Sequence, residues 1–257
     1  MLADLDLLLI VVYCIADDFL PQRPGNARRR VTDAEIITLC VAQAIMGIPS
    51  DPRFLMSAHH RLGHLFPVLP ARDAFHKRRL RLSGQIEALI AEFARHSPGF
   101  VDDLLLVDST PVECARSRET VKRGGSSSLA DALANAADYG YCASHSRFFW
   151  GFRLHALFAL DFRGKDFEAE LAELDATIMR PRRKGEKGKG PHLAPIRQRI
   201  ESIFWTCKDV LTLERHGART LNNLRVRLSA RFAALAAAVS LNHQLGRSTR
   251  SLACYTA

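Results

Sequence analysis

Apolar residues recur every three or four positions through most of the first 98 residues, as they do in helices that bury one face. This pattern predicts four helices, over 2–19, 32–46, 51–65 and 72–96. Thr32 and Glu35 have the spacing of a capping box at the start of the second helix. The N-terminal part of the chain, residues 1–98, is therefore predicted to be helical.

The pattern changes after Pro98–Gly99, where strands become recognisable. Leu104–Val107 is a short apolar run, typical of a buried strand, and Asp108 is predicted to end it. From Phe148 to Leu160 apolar and polar residues alternate, which predicts a strand with one buried face. Further helices are predicted over 167–174, around residue 201 and over 218–245, with a short strand over 176–179. The elements predict an α/β fold, with a helical region over 1–98 and a sheet-containing core over 99–257.

The composition narrows the class of partner. The chain carries 36 Lys and Arg against 27 Asp and Glu, a formal charge of +9. An excess of this size favours a polyanion, most often nucleic acid, with a merely basic surface as the alternative. The six cysteines are scattered without a C-x2-C pair, which argues against a disulfide framework or zinc ribbon and suits a reducing cytosol. The apolar run Leu7–Ile15 is too short to cross a bilayer, so we interpret it as a buried helix and expect no membrane partner.

Two basic segments are candidates for nucleic-acid contact. Lys77–Arg81 lies among short predicted helices that are compatible with a helix-turn-helix-like DNA-binding domain, and a plain helical bundle explains them equally well. The second segment, 180–189, is a cationic loop with glycines that includes Arg182, Arg183 and Lys184. We interpret this loop as a contact to the phosphate backbone in preference to a solvated loop.

The helix after this loop carries Arg197, Glu201 and Lys208, at offsets of four and seven residues. Because each helical residue turns about 100°, both cations lie within about 40° of Glu201 on one face. The apolar residues fall on the opposite side and are predicted to be buried: Ile200, Ile203, Phe204 and Cys207. A carboxylate flanked by two cations suits a divalent metal beside a polyanion, although taken alone these residues also fit a solvated helical ion pair.

Three segments of the chain together resemble the bacterial insertion-sequence transposases of the DDE class. They are Leu105–Pro111, the residues from Ala137 to Leu157, and Arg197–Asn223. In the family's Y-x2-R-x3-E-x6-K motif the arginine, glutamate and lysine are Arg197, Glu201 and Lys208, and Ala194 stands at the tyrosine position.

The resemblance implies an RNase H-like mixed-sheet core and a DNA transposase, which performs metal-dependent phosphodiester cleavage and strand transfer at element ends. Asp108 and Glu201 would be the catalytic, metal-binding carboxylates, and such hard oxygen ligands fit Mg²⁺ or Mn²⁺. Arg197 and Lys208 would hold phosphate near the scissile bond. The partners would be the DNA of the element ends and of the target, in the cytoplasm of a bacterium and on the nucleoid when bound.

One part of the family pattern has no counterpart here, namely the second catalytic Asp at the end of another buried strand. The strand that ends near Leu160 runs through Asp161 into Phe162–Asp166, and this segment resembles the family's residues just after the missing Asp. An internal deletion is the simplest explanation, so the core is predicted to be incomplete. Asp161 is the only substitute by position, and we do not expect it to replace the lost ligand.

The missing carboxylate leads to an alternative hypothesis, that the chain is a catalytically inactive transposase remnant that binds DNA. A nuclease on the same core is not separable from a transposase by sequence. The oligomeric state, a homo-oligomer included, also stays open.

Overall fold

The computed structural model describes residues 4–21, 30–97, 105–115, 132–142, 146–159 and 194–256. The helices within these ranges are α1 (Leu5–Phe19), α2 (Asp33–Ile45), α3 (Asp51–Arg61), α4 (Arg72–Arg81), α5 (Ser83–Arg95), α6 (Leu133–Ala136), α7 (Ala194–Asp209), α8 (Leu221–Gln244) and α9 (Ala253–Thr256). The strands are β1 (Leu105–Ala115), β2 (Asp138–Cys142) and β3 (Arg147–Ala159), and a 3₁₀ turn covers Leu213–Arg215. The predicted mixed α/β class is therefore confirmed.

The N-terminal helices share one hydrophobic core with the C-terminal helix α8. This helix contacts α1, α2, α4 and α5. Its buried Val226, Ala233 and Ala237 belong to the same apolar cluster as Leu8 and Ile37. The two predicted regions, 1–98 and 99–257, therefore contribute to a common core, and their division into domains stays a prediction. Among the helices of the described ranges, none is long and apolar enough to cross a membrane.

Local signals predicted one helix start correctly and missed one helix break. The capping box of α2 is confirmed, because the Glu35 N–H donates to Thr32 Oγ1 at 3.1 Å and the Glu35 carboxylate accepts from the Thr32 N–H. The prediction of a single helix over 72–96 is wrong, since α4 and α5 are separated at Leu82 (φ −91°, ψ 11°). Leu82 is buried, and the Ser83 and Gly84 that come after it are weak helix formers.

The sheet is antiparallel within the described ranges, with β3 lying between β1 and β2. The strand predicted over 148–160 is confirmed as β3 with bounds shifted by one residue. Its alternation also holds, because Ala156 is buried while Arg153 and His155 are exposed. The face of the sheet that meets the helices is thus the one predicted to be apolar.

The first strand extends well beyond its predicted end. Asp108 was predicted to terminate it, and this is wrong, because the ladder with β3 runs from Leu105 to Ala115. Pro111 lies inside the ladder. A proline is tolerated there because β1 pairs with β3 alone in the described ranges, so its outer edge needs no N–H donor.

Gly151 lies in β3 directly against the backbone of β1. A Cβ atom added to it would lie 2.1 Å from the Val112 carbonyl oxygen and 3.1 Å from the Glu113 Cα atom. We expect Gly151→Ala to lower the free energy of unfolding by about 3 kcal/mol, the upper end of the usual cost of overpacking, because backbone cannot move aside without disturbing the ladder. Urea denaturation followed by circular dichroism measures this change.

Gly84→Ala is the matched control for that substitution. Among the described residues, no atom outside the adjacent backbone lies within 4 Å of the added Cβ, and alanine in a helix is expected to raise stability by about 0.5 kcal/mol. Equal stabilities of the two variants would contradict the close approach of β3 to β1.

A polar cluster lies inside the helical core, where α3 and α4 meet α2 and α8. We call it the Asp51 cluster, and its members are Gln43, Asp51, Arg79, Asn223, Arg227 and Arg231, all of them buried. Arg79 Nη2 donates to Asp51 Oδ2 at 2.9 Å, and Arg227 Nη2 donates to Asp51 Oδ1 at 2.7 Å. Gln43 Nε2 also donates to Asp51 Oδ1, at 3.0 Å. One carboxylate therefore connects four helices.

Candidate active site

Asp108 lies on the face of the sheet that packs against the helices. It shares that face of β1 with Thr110 and Val112, because alternate residues of a strand point the same way, and both of these residues are buried. Val112 packs with Leu224 of α8. Asp108 itself is exposed, and its Oδ1 accepts a hydrogen bond from the Ser109 N–H at 2.7 Å. The strand thus presents one carboxylate to solvent beside a buried apolar face.

Helix α7 packs by one side and presents Glu201 on the other. The four residues predicted to be buried are confirmed as buried: Ile200, Ile203, Phe204 and Cys207. Glu201 is exposed. Because α7 contacts β1, the structure brings the helix that carries Glu201 to the strand that carries Asp108. That these two carboxylates share a metal stays a prediction.

The other predicted site residues, namely the phosphate ligands and Asp161, lie partly on α7 and partly outside the described ranges. Lys208 lies at the end of α7, where its Nζ atom is 3.1 Å from Glu214 Oε1. Arg197 lies near the start of α7. The remaining candidates lie outside the described residues, and their roles stay predictions: Asp161, Arg182, Arg183 and Lys184.

His216 connects β1 to the segment that leads into α8. Its Nε2 atom lies 3.1 Å from the Glu113 carbonyl oxygen, and the Ala218 N–H donates to Nδ1 at 3.1 Å. Since Nδ1 accepts, Nε2 carries the hydrogen and donates to Glu113. Burial is the main cause that lowers the pKa of His216. The hydrogen bond to Glu113 raises this pKa, and the charges of Arg231 and Arg227 lower it further. The ring is therefore neutral at pH 7 and positions β1 beside the helices.

The basic run on α4 has mixed exposure. Arg79 is buried in the Asp51 cluster, and Arg78 Nη2 donates to Asp33 at 2.6 Å. The outer residues Lys77 and Arg81 are exposed. For the two central arginines the contacts therefore favour the helical-bundle interpretation over DNA contact.

The Asp51 cluster was not predicted from the sequence. A signal was present in α8, where Arg227 and Arg231 are spaced four residues apart on a side rich in alanine. Arginines inside an apolar stripe indicate buried partners, because a buried charge needs compensation.

The donor chemistry of Asp108 and Glu201 fits a hard divalent cation such as Mg²⁺ or Mn²⁺. In the part of the chain that the structure describes, no group of three or more His, Cys, Asp or Glu side chains could hold a metal ion. A third protein ligand would have to come from elsewhere in the chain, and Asp161 is the candidate by position.

Comparisons of the chain with known protein families, with curated proteins and with solved structures gave no match. Its motifs and the geometry of β1 and α7 are therefore the guides to its function.

Proposed function

We propose that the chain is a DNA transposase of the DDE class with an RNase H-like core. The observation that carries the proposal is the contact of α7 with β1, which brings together the elements that bear the exposed Glu201 and Asp108. The match of Arg197, Glu201 and Lys208 to the family motif supports the same function, as does the net charge of +9.

In this function Asp108 and Glu201 hold the divalent ion, and DNA lies along the exposed side of α7. A bound Mg²⁺ or Mn²⁺ would supply charge stabilisation at the scissile phosphate. Arg197 and Lys208 contact the phosphate groups next to it. Lys208 can keep its ion pair with Glu214 and still donate to a phosphate, because an ammonium group has three N–H donors.

The second candidate function is a catalytically inactive DNA-binding remnant. It is supported by the lack of a counterpart to the second catalytic Asp in the sequence. A two-metal site with two of its three carboxylates holds and orients metal poorly. The remnant would keep the basic surface and therefore the affinity for DNA.

The experiment that tests the proposal is a strand-cleavage assay. Its substrate is a labelled duplex that carries the DNA flanking the reading frame, incubated with Mg²⁺, with Mn²⁺ or with EDTA. Slow, metal-dependent cleavage at the element end is expected for the transposase. Binding without cleavage would support the remnant, and the absence of both binding and cleavage would overturn both candidate functions.

DNA binding is expected to weaken steeply with salt, because the net charge is +9 and each neutralised phosphate releases counterions. The logarithm of the affinity should fall with the logarithm of the salt concentration by about 0.9 per phosphate contacted. Fluorescence anisotropy of a labelled duplex between about 50 and 200 mM salt measures the slope.

The loop residues supply a variant for this measurement. Replacing Arg182, Arg183 and Lys184 together with alanine should reduce the slope by about 2–3 if each contacts one phosphate. An affinity that is constant over the salt range would exclude this mode of binding. An unchanged slope in the triple variant would exclude the loop as the contact.

A further inference from the structure

The Asp51 cluster contains more positive than negative charge. It holds the three guanidinium groups of Arg79, Arg227 and Arg231. In the described ranges, Asp51 is the one carboxylate that accepts a hydrogen bond from any of them. Arg231 donates instead to main-chain oxygens, from Nε to Leu211 and from Nη1 to Arg227, both at 2.8 Å. Neither these carbonyl groups nor the Thr212 hydroxyl, which accepts from Nη2 at 3.3 Å, carries a net charge.

The surplus charge persists at neutral pH. Burial is the main cause that lowers the pKa of Arg231 to about 9, and the charges of Arg227 and Arg79 lower it further, so Arg231 is still protonated at pH 7. Two neighbouring titratable groups, Cys40 and His76, leave this charge balance unchanged at pH 7. Burial raises the pKa of the Cys40 thiol to about 12, and it is the main cause that lowers the pKa of His76, so both groups are neutral at pH 7.

A small cavity lies among the same groups, between α2, α4 and α8. It is lined by all three arginines and by Cys40 and Gln43, among others. The cavity has a volume of about 10 Å³, about the room that one water molecule needs, which favours a monatomic anion over a phosphate or a carboxylate. The ligand class is therefore set by size as well as by charge.

Arg79 lines this cavity and carries a donor that lacks a partner among the described residues. Its side chain is 1% exposed, and within the described part of the chain no atom accepts a hydrogen bond from its Nε–H. A buried donor on a charged group is costly to leave unpaired. A water molecule could accept this hydrogen bond, but it would leave the surplus of positive charge unchanged.

We propose that the cavity binds a single halide ion, chloride under cellular conditions, which accepts a hydrogen bond from Arg79 Nε and offsets one of the two positive charges that Asp51 leaves uncompensated among the three arginines. Such an ion holds α4 against α8, because the arginines around it belong to these two helices. The proposal is independent of the transposase function, since it concerns the helical core and not Asp108 or Glu201.

Thermal unfolding of the full chain tests the proposal, in sodium chloride and in sodium gluconate at equal ionic strength. Gluconate is too large for the cavity. A ligand that binds only the folded state raises Tm with its concentration, by about 3–5 °C for each tenfold increase above its Kd in a chain of this size. We expect this rise in chloride and its absence in gluconate. Equal Tm values in the two salts would overturn the proposal and leave water as the occupant.

Two arginines of α8 provide a matched pair of variants. Arg231→Met removes a buried charge that lines the cavity, and it should abolish the difference between chloride and gluconate. Arg225→Met removes an exposed charge that pairs with Glu87 on the surface, and it should preserve the difference. A difference that persists in Arg231→Met would place the chloride effect elsewhere and overturn the proposal.

If Arg231→Met does not fold, a crystal of the wild-type chain grown in bromide provides a second test. An anomalous scattering peak between Arg79 and Arg231 would support the site. Bromide peaks at the surface alone, with a water molecule in the cavity, would overturn it.

Discussion

Asp51→Ala is expected to lower the free energy of unfolding by about 3–5 kcal/mol, the usual cost of removing one partner from a buried ion pair. The carboxylate is buried and accepts hydrogen bonds from Arg79, Arg227 and Gln43. Without it, two guanidinium groups remain in the core with no counter-charge from their former partner. A loss of this size is a large part of the total stability of a typical domain. Urea denaturation and the Tm measure it.

Asp73→Ala is the matched control, because Asp73 is an exposed acid that pairs with Arg72 at the surface of α4. Its removal should leave the stability unchanged. Similar effects of the two substitutions would contradict the central role of the Asp51 cluster.

The same carboxylate should make stability depend on acid pH. Burial raises the pKa of Asp51, but hydrogen bonds and charge from Arg79, the charge of Arg227 and the Gln43 hydrogen bond together lower it to about 2. A lowered pKa in the folded state stabilises the fold above the unfolded value near 4, and this contribution of about 2 kcal/mol is lost as the pH falls towards 2. In Asp51→Asn this part of the pH dependence should disappear.

Asp108→Ala and Glu201→Ala are each expected to reduce metal-dependent DNA cleavage by on the order of 10²–10³-fold, as does the loss of one preorganised electrostatic group in an active site. Both carboxylates are exposed on elements that contact one another, so neither substitution should unfold the chain. DNA binding should be unchanged or tighter, because each variant loses a negative charge. Initial rates in the strand-cleavage assay, with anisotropy for binding, separate the two effects.

Asp209→Ala is the control for charge on the same helix, since Asp209 is exposed at the end of α7, and it should cleave at the wild-type rate. Asp161→Ala is also expected to leave the slow wild-type rate unchanged. If the wild-type chain instead cleaves robustly, and Asp161→Ala abolishes this cleavage as Asp108→Ala does, then Asp161 has replaced the missing carboxylate and the remnant hypothesis fails. If Asp108→Ala cleaves normally, the site assignment fails.

Sequence patterns predicted most of the helices and the longest strand. The capping box at Thr32, the buried side of α7 and the alternation along β3 all depend on residues a few positions apart. Such residues lie close together independently of the tertiary fold, so their periodicity and spacing are enough to predict these local features. The exposed Glu201 is explained by the same reasoning, because its position on α7 is set by the apolar residues around it.

Features that depend on distant residues were missed or predicted wrongly. Asp108 does not end β1, because pairing with β3 extends the strand to Ala115. Arg78 pairs with Asp33 of α2, 45 positions away in the chain. In each case the partner lies in another element, and its approach is not encoded in the local pattern.

The helical periodicity, the caps and the apolar faces of this protein can be predicted from the amino-acid sequence, because neighbouring residues in the chain specify them. The Asp51 cluster cannot be predicted in that way. Arg227 and Asp51 are 176 positions apart in the chain, and Arg79 comes from a third helix. The three arginines become buried because the packing of α4 and α8 surrounds one carboxylate. Which arginines become buried depends on which helices pack together. Only within that packing does the free energy of burying a charge favour pairing with Asp51.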